Sequence, residues 1–218
     1  MRRVWPLRMR LAIFDLDGTV LRCNSWHVFY VWTLRNHPGR APGLLLRLVA
    51  RRMRMIDGHV LRAAALRSLA ELDAAAVARI GERVWSERLF GCVRAEARRE
   101  IERAHAEGMT LVLATGAFDF LAEPIAASLG ITEIVCSRVA FAGGKCLGRI
   151  DGPETRGAIK AETVRARFAG QPIDWAGSRA YSDDVEDAPL WALVGEPVMV
   201  APGGTLPAKV VRRIWASE

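Results

Sequence analysis

The sequence predicts an α/β protein: a three-layer, doubly wound parallel sheet with an all-helical insertion after the first strand. Three observations predict it. Short apolar runs such as Thr-Leu-Val-Leu-Ala at 110–114 end abruptly in polar or acidic pairs, the mark of strands buried on both faces. From Gly91 onward such runs alternate with helix-period segments, which places a parallel sheet between two helical layers. Residues 25–90, by contrast, carry helical spacing and no strand signal.

The first strand is the run at 10–14, which breaks into Asp15-Leu16-Asp17-Gly18-Thr19. Trp26, Phe29, Tyr30, Val31 and Leu34 then recur at helical spacing until His37-Pro38-Gly39 interrupts them. A second helix over 44–56 is amphipathic and basic, with Arg47, Arg51, Arg52 and Arg54. Asp57 is placed to cap a third helix to about residue 71, and Asp73 a fourth to about residue 89. A helix over 93–107 ends at Gly108, and the strand at 110–114 enters Thr115-Gly116. A helix follows over 118–129, closed by Gly130, and then a short strand at 134–136. Segments 139–141 and 147–150 form a hairpin through Gly143-Gly144. The chain finishes with a helix at 157–168, strands at 179–182 and 197–200, and a terminal helix at 206–215.

The chain has 218 residues, 51% of them hydrophobic, enough for one domain with a sizeable core and a small insertion. Its net charge of +7 comes almost wholly from arginine, since lysine occurs only at Lys145, Lys160 and Lys209. Such a surface suits anionic partners, but no nucleic-acid motif accompanies it, so nucleic acid is not an expected partner. Cys23, Cys92, Cys136 and Cys146 are scattered, and the four histidines show no zinc spacing. There is neither a signal-peptide pattern nor a run of roughly 20 apolar residues that could span a bilayer. The expected location is the cytoplasm.

The chemistry-bearing residues gather at predicted strand ends, where open parallel sheets bind ligands. A calcium loop also begins Asp-x-Asp, but it needs glycine at its sixth and glutamate at its twelfth position, held here by Val20 and Trp26. An ordinary acidic turn remains the alternative for this stretch taken by itself. The Asp-Gly-Thr turn breaks strand alternation, so that Asp15 and Asp17 reach one pocket. Thr115 offers a hydroxyl and Gly116 an amide to an oxyanion. Lys160 stands in the first turn of its helix, against the dipole, where a compact ammonium suits a site crowded with carboxylates and phosphate oxygens. Asp183, Asp184, Glu186 and Asp187 follow the strand at 179–182. Acids gathered at one sheet edge raise one another's pKa unless a cation sits among them. Oxygen ligands, with room for water and phosphate, are the pattern of Mg²⁺, so the residues point to a magnesium-dependent phosphoryl site.

The order Asp15-x-Asp17-Gly-Thr, Thr115-Gly116, Lys160, Asp183-Asp184-x-x-Asp187 resembles the four motifs of the haloacid dehalogenase-like hydrolases. The helical insertion resembles their first-type cap. Ala114-Thr-Gly-Ala-Phe118 and Leu147-Gly-Arg-Ile-Asp151-Gly152 are similar to the phosphoserine phosphatase-like subfamily. The resemblance implies a Rossmann-like core at 1–20 and 91–218 with a cap at 21–90. It implies a Mg²⁺-dependent phosphatase acting on a small phosphorylated metabolite through an aspartyl-phosphate. Asp15 would be the nucleophile, and Asp17 the acid and then the base, with a pKa above that of Asp15. Thr115, Gly116 and Lys160 would hold the phosphoryl group. The metal would rest on Asp15, Asp17 and Asp183, with Asp187 orienting its shell. Two departures stand out. Asp184 occupies a position commonly Ser or Gly and competes with Asp183 for the metal. Asn24 replaces the glutamate that reads the substrate amine in phosphoserine-specific members, which weakens that specificity. Other readings compatible with the motifs are phosphoserine hydrolysis itself, phosphoryl transfer to another alcohol, a lipid-phosphate-directed protein lying on a membrane, and a non-catalytic phosphate-binding module.

Overall fold

The computed structural model describes residues 8–36, 57–200, 210–213 and 215, together with 43, 46, 47, 49, 52 and 53. The helix predicted over 44–56 and the break at His37-Pro38-Gly39 therefore lie largely outside the described residues.

Four consecutive buried residues, Leu11, Ala12, Ile13 and Phe14, form the central strand β1 (Leu11–Phe14). Their alternation splits the core in two. Ala12 and Phe14 join one apolar cluster, and Leu11 and Ile13 join the other, so β1 separates two helical layers. On one side lie α1 (Ser25–Asn36), α2 (Gly58–Arg67), α3 (Ala74–Val84), α4 (Ala95–Ala106) and α5 (Asp119–Ser128). On the other lie α6 (Gly157–Arg167) and the short α7 (Ala188–Trp191). The remaining strands are β2 (Thr110–Phe118), β3 (Glu133–Ala142), β4 (Lys145–Asp151), β5 (Arg179–Ser182), β6 (Glu196–Met199) and β7 (Val211–Arg212). The sheet order is β4-β3-β2-β1-β5-β6-β7, and every pair is parallel except the β3–β4 hairpin. The chain moves outward from β1 to β4 and returns to β5 on the opposite flank of β1. The strand order reverses there, which opens a crevice at the carboxyl ends of β1, β2 and β5.

Several predicted elements are redrawn. The strands expected at 134–136 and 139–141 are one strand, β3, which pairs with β2 at its start and with β4 at its end. Strand β2 runs on through Thr115-Gly116 to Phe118, with its register to β3 shifting after Ala114. The terminal helix is replaced where it is described: Val211–Arg212 pair with β6, and Arg213 and Trp215 donate their amides to Met199 O and Val200 O at 2.8 and 3.1 Å. Pairing with β6 buries Trp215, whose ring stacks 6.0 Å from Tyr181. Asp73 caps α3 by accepting from Ala76 N at 2.7 Å, whereas Asp57 stands at the α2 N-cap without a side-chain hydrogen bond. Helix α3 gives way at Trp85 to a π turn and then a 3-10 turn.

The chain leaves β1 and returns to α4 along adjacent paths. Leu21 and Val93 form an antiparallel bridge, flanked by Arg22 N to Cys92 O at 2.9 Å and Arg94 N to Val20 O at 3.0 Å. Helices α1 to α3 lie between those two crossings. They pack firmly on the sheet side: Gly81 of α3 meets α5 so closely that a Cβ would fall 1.8 Å from Phe120 O.

Candidate active site

The turns after β1 and β5, the second half of β2 and the start of α6 bring Asp15, Asp17, Asp183, Thr115, Gly116 and Lys160 to the wall of one cavity of about 200 Å³. Asn24, Asp184 and Asp187 line the same cavity. All eight residues expected in the site, and the competing Asp184, are thus brought together.

Asp15 follows β1 directly, and its amide donates to Tyr181 O of β5 at 2.9 Å, so its position is fixed by the sheet. Lys160 reaches across from α6. Its Nζ donates to Asp15 Oδ1 and to Asp187 Oδ2, each at 2.7 Å. Asp187 Oδ2 also accepts from Ser182 Oγ at 2.6 Å, so Asp187 is engaged behind Lys160. An ammonium has three donors; two are used, and among the described residues the third has no partner. Burial opposes the Lys160 charge, but the Asp15 and Asp187 carboxylates outweigh it and raise its pKa. Burial pushes the Asp15 carboxyl up to about 7, against the pull of Lys160 and with a further push from Asp187 and Asp17.

Asp17 is held by the start of α1. Its Oδ1 accepts from Ser25 N at 2.7 Å and its Oδ2 from Ser25 Oγ at 3.0 Å. Burial raises its pKa, and the two Ser25 bonds pull the other way. Asn24 stands at the head of that helix, its Oδ1 accepting from His27 N at 3.3 Å. Thr115 Oγ1 accepts from Ala117 N at 3.0 Å, which leaves its own hydroxyl hydrogen to donate. Asp183 Oδ1 accepts from Thr19 Oγ1 at 3.0 Å, and burial raises its pKa. Asp184 is turned to another task, its Oδ1 accepting from Glu186 N at 2.9 Å to cap the turn that precedes α7.

Six acids line the cavity, namely Asp15, Asp17, Asp183, Asp184, Glu186 and Asp187, against the cations Arg62, Arg156 and Lys160. Three of those acids have carboxyls raised by burial. A hard divalent cation would satisfy such an excess of oxygen donors. Among the described residues no three acid, cysteine or histidine side chains form a metal-ligand set by themselves. Two carboxylates, a backbone carbonyl and substrate or water oxygens are what Mg²⁺ accepts, so the donor set fits it.

Reasoning from sequence missed Arg62. It is 6% exposed, donates through Nη2 to Gly116 O, stacks 4.5 Å above the Phe118 ring and pairs through Nε with Glu154 at 3.3 Å. The signal was present: Arg62, Ala65 and Leu66 share one face of α2, so the arginine stands in an apolar row. Trp26 and Arg156 also line the cavity, and Arg156 packs against Gly116 so closely that a Cβ there would lie 2.9 Å from its Cγ.

Comparison with known proteins gives a consistent result. A family model described as haloacid dehalogenase-like hydrolase matches residues 12–192. The "Inhibition of morphological differentiation protein" of Streptomyces azureus is 31% identical over 121 residues, 55% of this chain and 43% of that protein. "Phosphoserine phosphatase SerB1" of Mycobacterium tuberculosis (strain ATCC 25618 / H37Rv) is 30% identical over 150 residues, 68% of this chain and 47% of the relative. The chain thus spans less than half the length of these two relatives. A crystal structure of a protein of unknown function from Bordetella pertussis Tohama I superposes with a TM-score of 0.75 at 25% identity, covering 88% of this chain and 90% of that one.

Proposed function

The chain belongs to the haloacid dehalogenase-like hydrolases, and on that premise we propose that it is a phosphomonoesterase working through an aspartyl-phosphate on Asp15. The observation that carries this reading is the Lys160 bridge: one buried ammonium clamps Asp15 and keeps a donor for a phosphoryl oxygen. Lys160 holds Asp15 Oδ1, leaving Oδ2 to attack phosphorus. The Oδ2–P bond forms as the bond from phosphorus to the leaving oxygen breaks, and Asp17 supplies the proton that oxygen needs. Burial favours the protonated Asp17 required at that moment, and the Ser25 bonds favour the carboxylate left afterwards. That carboxylate then takes a proton from the water that hydrolyses the phosphoenzyme. Thr115 Oγ, Gly116 N and Lys160 Nζ hold the transferring oxygens, stabilising charge where it develops. Mg²⁺, held by the Asp15 and Asp183 carboxylates and the Asp17 carbonyl, would neutralise phosphate charge and orient it. Asp183 is the better-placed second ligand because its carboxylate lies against the Asp17-Gly18 turn that carries the Asp17 carbonyl.

Residues 21–90 act as a cap in this reading, closing over the core with Asn24, Trp26 and Arg62 facing the leaving group. Arg62 suits an anionic substituent there. An ammonium would meet the amide of Asn24 instead of a carboxylate. The substrate is therefore a small phosphomonoester with an anionic or neutral leaving group, and phosphoserine, the substrate named for one relative, is a secondary one.

The test is turnover of p-nitrophenyl phosphate with and without Mg²⁺, beside Asp15→Asn. The variant loses activity by about 10³-fold or more, and full activity in it would refute the nucleophile. Failure of the wild type to turn over any phosphomonoester in a broad metabolite panel would leave the non-catalytic module as the better reading. Within the panel, amine-free phosphate esters should exceed phosphoserine in kcat/KM.

A further inference from the structure

Residues 18–56 contain no aspartate or glutamate, while Arg40, Arg47, Arg51, Arg52 and Arg54 crowd the second half of that stretch. Within it Leu46, Arg47, Val49 and Arg52 are helical, and Met53 N donates to Val49 O at 2.9 Å. At about 100° per residue, Leu46, Val49 and Met53 fall within an arc of about 60°. Arg47 and Arg52 stand on opposite flanks of that arc. The three apolar side chains are 71%, 49% and 66% exposed, so no described residue covers this stripe. Of nine large hydrophobic residues exposed among the described residues, five belong to the helical segment: these three, Val60 and Phe90. A contiguous apolar stripe in water marks a contact surface.

The occupant must be apolar at its centre and anionic on both sides. In a two-fold pairing of stripe on stripe, a second copy of this chain brings the same arginines and, from 18 to 56, no acid to pair with them. Nucleic acid offers phosphates but no apolar centre. An anionic bilayer offers both. Its headgroup–acyl boundary takes Leu46, Val49 and Met53, while the guanidiniums reach lipid phosphates on stems that themselves cover apolar surface. We infer that the helical face carrying Leu46, Val49 and Met53 docks the protein on an anionic lipid surface. Among the described residues no helix is long and apolar enough to cross a membrane, and the contact meant here lies in the plane of the interface.

The full chain is sedimented with vesicles of phosphatidylcholine alone and of phosphatidylcholine with phosphatidylglycerol, at low and high salt. The wild type pellets with the anionic vesicles at low salt and is released by high salt. Neutralising Arg47 or Arg52 to Gln weakens partition about fivefold each. The pair Leu46→Asp and Met53→Asp abolishes it, while p-nitrophenyl phosphate turnover in solution stays at the wild-type level and reports an intact fold. Absence of pelleting at low salt overturns the inference, as does equal pelleting of the stripe variant. A wild-type oligomer that the stripe variant converts to monomer, with no vesicle binding in either, assigns the stripe to a second copy and overturns it too. Vesicle binding and turnover are read separately, so neither failure masks the other.

Discussion

Gly18 turns with φ of 85°, and a Cβ there would lie 2.1 Å from Asp183 Oδ2, so two requirements meet at one residue. The backbone must enter the left-handed region, and the Asp183 carboxylate must occupy the space that any side chain would take. Gly18→Ala therefore displaces Asp183 and lowers turnover by at least about tenfold, with a backbone penalty of about 1–3 kcal/mol. Its mark is a raised Mg²⁺ requirement, and an unchanged one would refute the role given to Asp183. Lys160 is the counterpart on the other side of the cavity. Lys160→Met leaves Asp15 and Asp187 facing each other in a buried space, at a cost of about 3–5 kcal/mol. Denaturant unfolding at neutral pH measures this, and a loss below about 1 kcal/mol would show the bridge to be dispensable. Asp15, Asp17, Asp183 and Asp187 were legible in the sequence because acids at strand ends stand out against apolar runs. Arg62 was not, because an arginine in an apolar helical row marks burial and says nothing of what it meets there. Its position depends on the Gly116 carbonyl, 54 residues away, and on the Phe118 ring.

Among the elements, α3 shows how the helical segment is seated. Gly81 lets it approach α5 until a Cβ would strike Phe120 O, a backbone atom with little freedom to retreat. Gly81→Val forces the two helices apart and destabilises by about 1–3 kcal/mol, read from denaturant midpoints. Asp73→Ala removes the α3 cap and costs about 1 kcal/mol, a smaller loss on the same measurement. The reverse ranking would contradict the packing argument. Strands β1 and β5 are legible almost to the residue because each is a short run that enters acids directly, wholly apolar in β1 and Arg-Ala-Tyr-Ser in β5. Strand β3 was not read as one element. Its polar Ser137 and Arg138 interrupt the apolar pattern, and Ser137 is buried to accept from Thr155 N at 3.1 Å, a contact local periodicity does not contain. Residues 206–215 permit helical spacing, which predicts a helix where β7 stands. The open edge of β6 supplies partners for its amides instead.

On the scale of the whole molecule, the acid excess of the cavity and the basic character of the chain are separated in space. The net charge is +7, yet six acids to three cations line the cavity. A ligand that binds there stabilises the folded state by mass action. Mg²⁺ at a hundredfold its dissociation constant should add about 2.7 kcal/mol, raising Tm by about 5–10 °C for a chain of this size. Asp183→Asn should remove most of that rise, and a Tm indifferent to Mg²⁺ would place the cation elsewhere.

The α/β layering, the parallel sheet, the helical stretch after β1 and the acids that end its strands are all legible in the amino-acid pattern. These depend on periods of two and about 3.6 residues and on turn chemistry, both written within a few neighbours. Which of those residues meet at one cavity is settled by the packing of the layers. Lys160 meets Asp15 across 145 residues, and Thr19 meets Asp183 across 164. The fold also brings Asp183 against Gly18 while Asp184 caps a turn at the same cavity, and it brings Arg62 to the cavity lining. A site is a set of distances, and distances between remote residues are fixed by burying surfaces against one another, which no local pattern records.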